Sequence, residues 1–316
     1  MATKTWNTDK TSFTAGHFAL SIDGHPTTAY LKSVDGGYIK HSLVDEGIGG
    51  DLHHVKHASV AEIDPISFEF GISGANNVLK WIQQSWNKEW SRRNGVITHA
   101  DFNLNKQLEH EFFEALITET TFPTLDGASK EAAYLKVKMQ PEKVITKLNP
   151  STQKIVGANT GKGESKHKMW MCSGFRLNIN GIDDMRFANK IDGFTIKQGI
   201  KKMYVGAERY PQVEPTKIEF PHITGTIAVV YAEKLFKWYQ EYVVDGKIDS
   251  SAQKTGSIEF LSTDRAKTLF EINLFDVGLV SLSVMPSTAN ADQIKRAKFE
   301  LYVGRMELDG KGLGLE

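Results

Sequence analysis

Residues 18–40 recur at 175–197 without a gap, and this repeat constrains the fold more than any other feature of the chain. Phe18, Leu20, Ile22, Gly24, Asp35, Gly36, Ile39 and Lys40 fall on Phe175, Leu177, Ile179, Gly181, Asp192, Gly193, Ile196 and Lys197. The same shift of 157 residues sets Lys80-Trp81 on Lys237-Trp238, Gln83 on Gln240 and Phe113-Glu114 on Phe270-Glu271. Pro65 and Phe68-Glu69-Phe70 meet Pro215 and Ile218-Glu219-Phe220 after a gap of seven. A shift held over so much of the chain predicts two copies of one domain. The expected division is an arm at 1–16, a domain at 17–144, a linker at 145–170, a second domain at 171–308 and a tail at 309–316.

Within each copy the apolar residues alternate more often than they follow a helical period. Phe18, Leu20 and Ile22 point one way and Ala19 and Ser21 the other, the pattern of a half-buried strand. Asp23-Gly24 ends it with turn chemistry, as Asn180-Gly181 does in the second copy. Strands are expected around 38–44, 66–70, 96–102, 112–122 and 134–139, with 47–61 as a long connection rich in Gly and His. A helix is expected from Asn76 or Asn77 to about Arg93, its apolar side carrying Val78, Ile82, Trp86 and Trp90. The second copy repeats the order: strand 218–220, a helix over 232–244, then strands at 258–261, 269–284 and 299–308. The fold class is mainly β with some helix (α+β). Two tandem small antiparallel β-barrels or sandwiches, each with one flanking helix, bury these strands economically.

Composition excludes more than it assigns. The 38 Lys and Arg balance 38 Asp and Glu, so no global field favours nucleic acid or a membrane surface. The single cysteine, Cys172, allows no intrachain disulfide and fits a reducing compartment. The N-terminal residues lack the apolar core of a signal peptide, and no apolar run approaches bilayer-spanning length; membrane insertion is not expected.

Candidate chemistry is sparse. His41, His53, His54 and His57 have no carboxylate or cysteine at metal-site spacing, and the second copy drops all four. Gly157–Ser165 mimics a phosphate-binding loop, but only three residues separate Gly157 from Gly161, and Gly163 follows Lys162. The aromatic stripes Trp81, Trp86, Trp90 and Trp238, Tyr239, Tyr242 read as core, with Trp81 and Trp90 placed for an interface. Asp183-Asp184 and the strand glutamates Glu69 and Glu219 lack a partner for acid–base work. No catalytic constellation, cofactor site or metal site is expected.

Each copy resembles the T4-like phage tail-tube family, shared with the inner tubes of contractile injection systems. The motifs that carry the resemblance run in family order: 18–24, 34–40, 47–51, 66–71, 79–84 and 112–123. In the second copy they are 175–181, 191–197, 217–220, 236–240 and 270–281. Family members are single domains, so this chain resembles a fused, diverged pair. The resemblance implies a structural protein whose sheet edges join copies into a stacked ring, with three chains imitating a hexamer. The implied partners are further copies of itself, other tail, baseplate or sheath proteins, and DNA or protein cargo in the channel. It implies a place in a virion tail, or in the bacterial cytoplasm during assembly. Gly47, Gly49, Gly50, His53, His54 and His57 in the long loop, with Trp90, are the candidate oligomer and stacking contacts. A soluble binding module presenting two barrel pockets is the alternative of another class.

Overall fold

The structure is a computed structural model that describes residues 16–27, 31–47, 54–72, 74–148, 150–155, 170–206, 208–286 and 294–310. Strands dominate it. The first repeat contains β1 (His17–Ile22), β2 (His25–Thr27), β3 (Leu31–Asp35), β4 (Ile39–Gly47), β5 (His54–Ile63) and β6 (Ile66–Phe70). Helix α1 (Asn76–Trp86) follows, then β7 (Arg93–Ala100), β8 (Lys106–Phe122), β9 (Leu125–Asp126), β10 (Leu135–Gln140) and β11 (Lys143–Leu148). The second repeat contains β12 (Trp170–Ile179), β13 (Ala188–Ile191), β14 (Phe194–Met203), β15 (Gln212–Glu219) and β16 (Ile223–Ala228). Helix α2 (Glu233–Tyr239) widens into a π-turn at Gln240–Val244, and β17 (Lys254–Ser262), β18 (Thr268–Val284) and β19 (Arg296–Asp309) complete it.

The two repeats share one pairing scheme. In the first, the strands lie in the order β1-β7-β8-β10-β6-β3; in the second, β12-β17-β18-β19-β16-β13. The registers coincide pair by pair. Leu20 faces Ile97 as Leu177 faces Ile258, Phe112 faces Val144 as Leu274 faces Met306, and Val34 faces Phe68 as Ile191 faces Gly225. Both long strands break at the same place with a residue in the left-handed region, Glu114 at φ 49° and Asp276 at φ 55°. Such a bulge bends the strand so that one element can serve two parts of a curved sheet. The inward residues Leu20, Ile22, Phe68, Phe70, Ile97, Phe112 and Val137, and their counterparts in the second repeat, are buried.

This scheme corrects several readings of the sequence. The shift of 157 residues continues unbroken to β6 and β16, so Phe68 corresponds to Gly225 and no gap of seven exists. Ile218 lies in β15, the return arm of a hairpin, and the strand before α2 is β16. After the helices the shift grows, mainly because the connection to the next strand is longer in the second repeat, 245–253 against 87–92. Phe113-Glu114 therefore corresponds to Phe275-Asp276 rather than Phe270-Glu271. The stretch read as a long connection is half strand: β4 and β5 pair from Ile39↔Ile63 to Gly47↔His54. β4 falls on the strand expected around 38–44, whereas β5 is exposed along most of its length and no alternation marked it. Helix α1 ends at Trp86, and Trp90 stands beyond it, half-buried at φ 50°.

Candidate functional site: the strand joint

The feature with most consequence for function is the way one repeat is fastened to the other. Strand β14 of the second repeat pairs antiparallel with the end of β8 of the first, with Phe194 opposite Phe122, Thr195 opposite Thr121, Ile196 opposite Thr120 and Lys197 opposite Glu119. The β14–β15 hairpin of the second repeat thereby joins the first repeat's sheet, which among the described residues holds ten strands, and β9 of the first repeat in turn pairs with β13 in the second repeat's separate seven-stranded sheet. The hydroxyls of Thr121 and Thr195 are 2.9 Å apart across the joint.

Aromatic residues seal it. Phe122 stacks on Phe194 with ring centroids 4.9 Å apart and on Phe260 at 5.6 Å. Trp86 of α1 leans on Phe122 at 6.1 Å, and Trp170 and Phe270 enclose Phe260 from the far side. Helix α1 also reaches across: Gln83 Nε2 donates to the carbonyl of Leu308 at 3.0 Å. Arg92 and Glu142 form an ion pair beside Val213 of β15. Large apolar rings buried between two sheets give most of the adhesion, and the strand hydrogen bonds set the register.

A cavity of about 340 Å³ lies beside the joint, lined by Glu119, Lys138, Gln140, Lys197, Gln198 and Glu219 among others. Lys138 is paired with Glu119 at 3.2 Å and Lys217 with Glu219 at 2.6 Å, so its charges are largely neutralised from within.

In each repeat the strand that corresponds to a partner in this joint has no strand paired across it among the described residues. On the first repeat Phe18, His99, His110 and Tyr38 form a continuous row: Phe18 and His99 are 5.1 Å apart, His99 and His110 5.1 Å, and Tyr38 and His110 5.6 Å. Phe175, Phe260 and Ile272 hold the positions of Phe18, His99 and His110 in the second repeat. His110 Nδ1 meets Thr146 Oγ1 at 2.9 Å, and the Nε2 atoms of both histidines are buried without a partner among the described residues. Burial, and for His99 the neighbouring His110, depress both imidazoles, His99 to about 4.

The residues singled out in the sequence are distributed unevenly. Gly47 and His54 face each other near the end of the β4–β5 hairpin, His54 Nδ1 lies 3.0 Å from Asp45 Oδ1, and His57 is exposed on β5. Gly49, Gly50 and His53 lie outside the described residues. Trp86 is the tryptophan of this helix that meets Phe122 at the joint, and Trp90 is half-buried beyond the helix end. Trp81 is core, its Nε1 donating to the Ser91 carbonyl at 2.8 Å. Cys172 is buried, and burial raises its thiol above the ordinary value. Among the described residues no group of three or more His, Cys, Asp or Glu could hold a metal ion, and no helix is long and apolar enough to cross a membrane. Arg92, Glu142 and the histidine row escaped sequence reasoning; the one sequence signal for the joint was the repeated glutamine, Gln83 and Gln240.

No curated protein matches the chain. Among solved structures, a chain of the PVC extracellular contractile injection system sheath–tube complex in the extended state is 16% identical and has a TM-score of 0.39. That match covers 44% of this chain and 93% of the other. A chain of the anti-feeding prophage tube-terminating cap is 14% identical, with coverage of 44% and 93% and a TM-score of 0.38. Hcp1 from Flavobacterium johnsoniae is 15% identical, with coverage of 43% and 94% and a TM-score of 0.26. Residues 14–145, which take in the first repeat, match the family model of the T4-like virus tail tube protein gp19.

Proposed function

We propose that the chain is a structural, ring-forming component of a phage tail or contractile injection system tube. It is either a tube subunit or the ring that begins or caps the tube. One observation carries this reading: the chain already performs, between its own halves, the strand-to-strand joining that a ring requires. Repeating a heterologous contact with a constant rotation closes a ring. With two domains per chain, divided near the segment 145–170, a ring of six domains needs three chains. The exposed β4–β5 hairpin, with Gly47, Gly49, Gly50, His53, His54 and His57 at and around its end, is the stacking contact to the next ring. Trp90, half-buried beyond the end of α1, belongs to the same set of oligomer contacts.

Partners follow from the same reading: further copies, neighbouring tail, baseplate or sheath proteins, and DNA or protein cargo in the channel. The site of action is a virion tail or an injection particle, assembled in the bacterial cytoplasm. The family match over the first repeat supports a structural role rather than catalysis. Negative-stain imaging of the purified protein tests the reading. Hollow rings with six lobes, singly or in stacks, are expected. Compact particles without a channel at every concentration would overturn it.

A further inference from the structure

Resting on the ring reading, the structure assigns the two mating faces of the chain-to-chain contact. The end of β18, Ser281–Val284, pairs with Gly37–Lys40 at the root of β4 in a second copy. Tyr38 then lies opposite Ser283, and Lys40 opposite Ser281.

The argument is the internal symmetry. Residues 119–122 of β8 correspond to 281–284 of β18, because both long strands carry the same bulge and the same pairing with the next strand. Residues 194–197 of β14 correspond to 37–40, because Lys197 faces Glu219 as Lys40 faces Glu62. Within the chain the two members of this pair are joined. Their counterparts stand open: among the described residues β4 pairs only with β5, and the side of Ser281–Val284 turned away from β19 has no strand on it.

Exposure records what is missing. Ile196 is 2% exposed and its counterpart Ile39 is 41% exposed; Phe122 is 1% exposed and its counterpart Val284 is 44%. Val243, at the position of Trp86, and Val280 and Met285 extend the apolar edge around Val284. Opposite them the row Phe18–His99–His110–Tyr38 waits at the position of the aromatic seal.

Charge is complementary as well. Inside the chain Lys197 sits opposite Glu119, with Lys138 on the adjoining strand. Between chains Lys40, paired in its own chain with Asp64, sits opposite Ser281, and the carboxylate moves one strand over to Glu300, which is in register with Ser281 and meets His222. Gln240, the repeat of Gln83, then faces the carbonyl of Thr146, the counterpart of Leu308. An exposed strand edge bordered by apolar residues, matched in register by another, is a built pairing site. The partner it fits is a second copy of this chain.

Paired cysteines test the register. Tyr38→Cys with Ser283→Cys, in a Cys172→Ala background, occupies positions that are exposed in the single chain and equivalent to Thr195 and Thr121. Mild oxidation is expected to link chains into covalent multimers, whereas Tyr38→Cys with Ser281→Cys, two residues out of register, stays unlinked. Val284→Asp, at an exposed position, is expected to raise the chain–chain dissociation constant about tenfold or more with unchanged thermal unfolding of the single chain. Rings that form without the Tyr38–Ser283 link, and are indifferent to Val284→Asp, overturn the assigned faces and leave the ring reading standing. A protein that remains monomeric at high concentration overturns both.

Discussion

Arg92 and Glu142 hold both backbone polar groups of Val213. Arg92 Nη2 donates to its carbonyl at 2.7 Å, and Glu142 Oε1 accepts its N–H at 2.7 Å. The same guanidinium is ion-paired with Glu142 and reaches Glu214 at 3.2 Å. Two residues of the first repeat thus pin the edge of a hairpin belonging to the second. At the opposite face the corresponding positions are Gln253, Gly304 and Lys56, which cannot form this clamp. A chain-to-chain joint built on those positions would lack this clamp and is expected to be the weaker of the two.

Arg92→Ala removes one arm and leaves a half-buried carboxylate and a strand carbonyl without their donor. The expected cost is about 1–3 kcal/mol. Hydrogen exchange is the direct measurement: amides of β14 and β15 should exchange faster while those of β17 and β18 stay protected. Uniform loss of protection would mean that Arg92 supports the whole fold and not the joint.

Gly95 and Gly256 are equivalent and serve the same purpose. A Cβ on Gly95 would sit 2.3 Å from the carbonyl oxygen of Ser21, and one on Gly256 2.3 Å from that of Asn178. Both approaches are to backbone, which cannot swing aside. Gly95→Ala and Gly256→Ala are each expected to destabilise by about 1–3 kcal/mol as overpacked sites, read from denaturant midpoints. Wild-type stability in either variant would contradict this close packing.

The histidine row makes the first repeat sensitive to acid. His99 has an ordinary value of 6.5 and is depressed to about 4 in the fold; His110 is depressed too. The row meets Phe18, Tyr38 and Thr146, none of them a carboxylate that would favour the charged form. Below pH 6.5 the unfolded chain takes up protons that the folded chain refuses. Stability is therefore complete above about pH 6.5 and declines as the pH falls towards 4. His99→Phe, which copies Phe260, should flatten that decline in melting temperature across the same window. An unchanged slope would remove His99 as its source.

Much of this architecture was legible in the sequence, and the parts that were not have physical causes. Alternation over Phe18, Leu20 and Ile22, and over Phe175, Leu177 and Ile179, marks strands whose inward aliphatic residues are buried and whose phenylalanines are half-buried. Strand β5 of the β4–β5 hairpin was missed because, exposed along most of its length, it has no apolar face to alternate. The register at β6 was missed because a large side chain changed strands. Phe68 packs beside Val137 in the first repeat, while Gly225 lies beside Phe299 in the second. The core keeps its volume, but the aromatic residue moves from β6 to β19, and matching by identity follows the phenylalanine to the wrong strand. The joint itself was hidden for another reason. Its residues lie far apart in the chain, and only the repeat of Gln83 as Gln240 hinted that one position on each helix serves a contact.

The central claim is that the joint within the chain is repeated between chains until the ring closes. Molar mass in solution, by light scattering on the intact protein, tests it most directly. The account predicts a particle of three 35.3 kDa chains, or whole multiples of three where rings stack. A single 35.3 kDa species at high protein concentration, or a mass that is not a whole multiple of three chains, would contradict it.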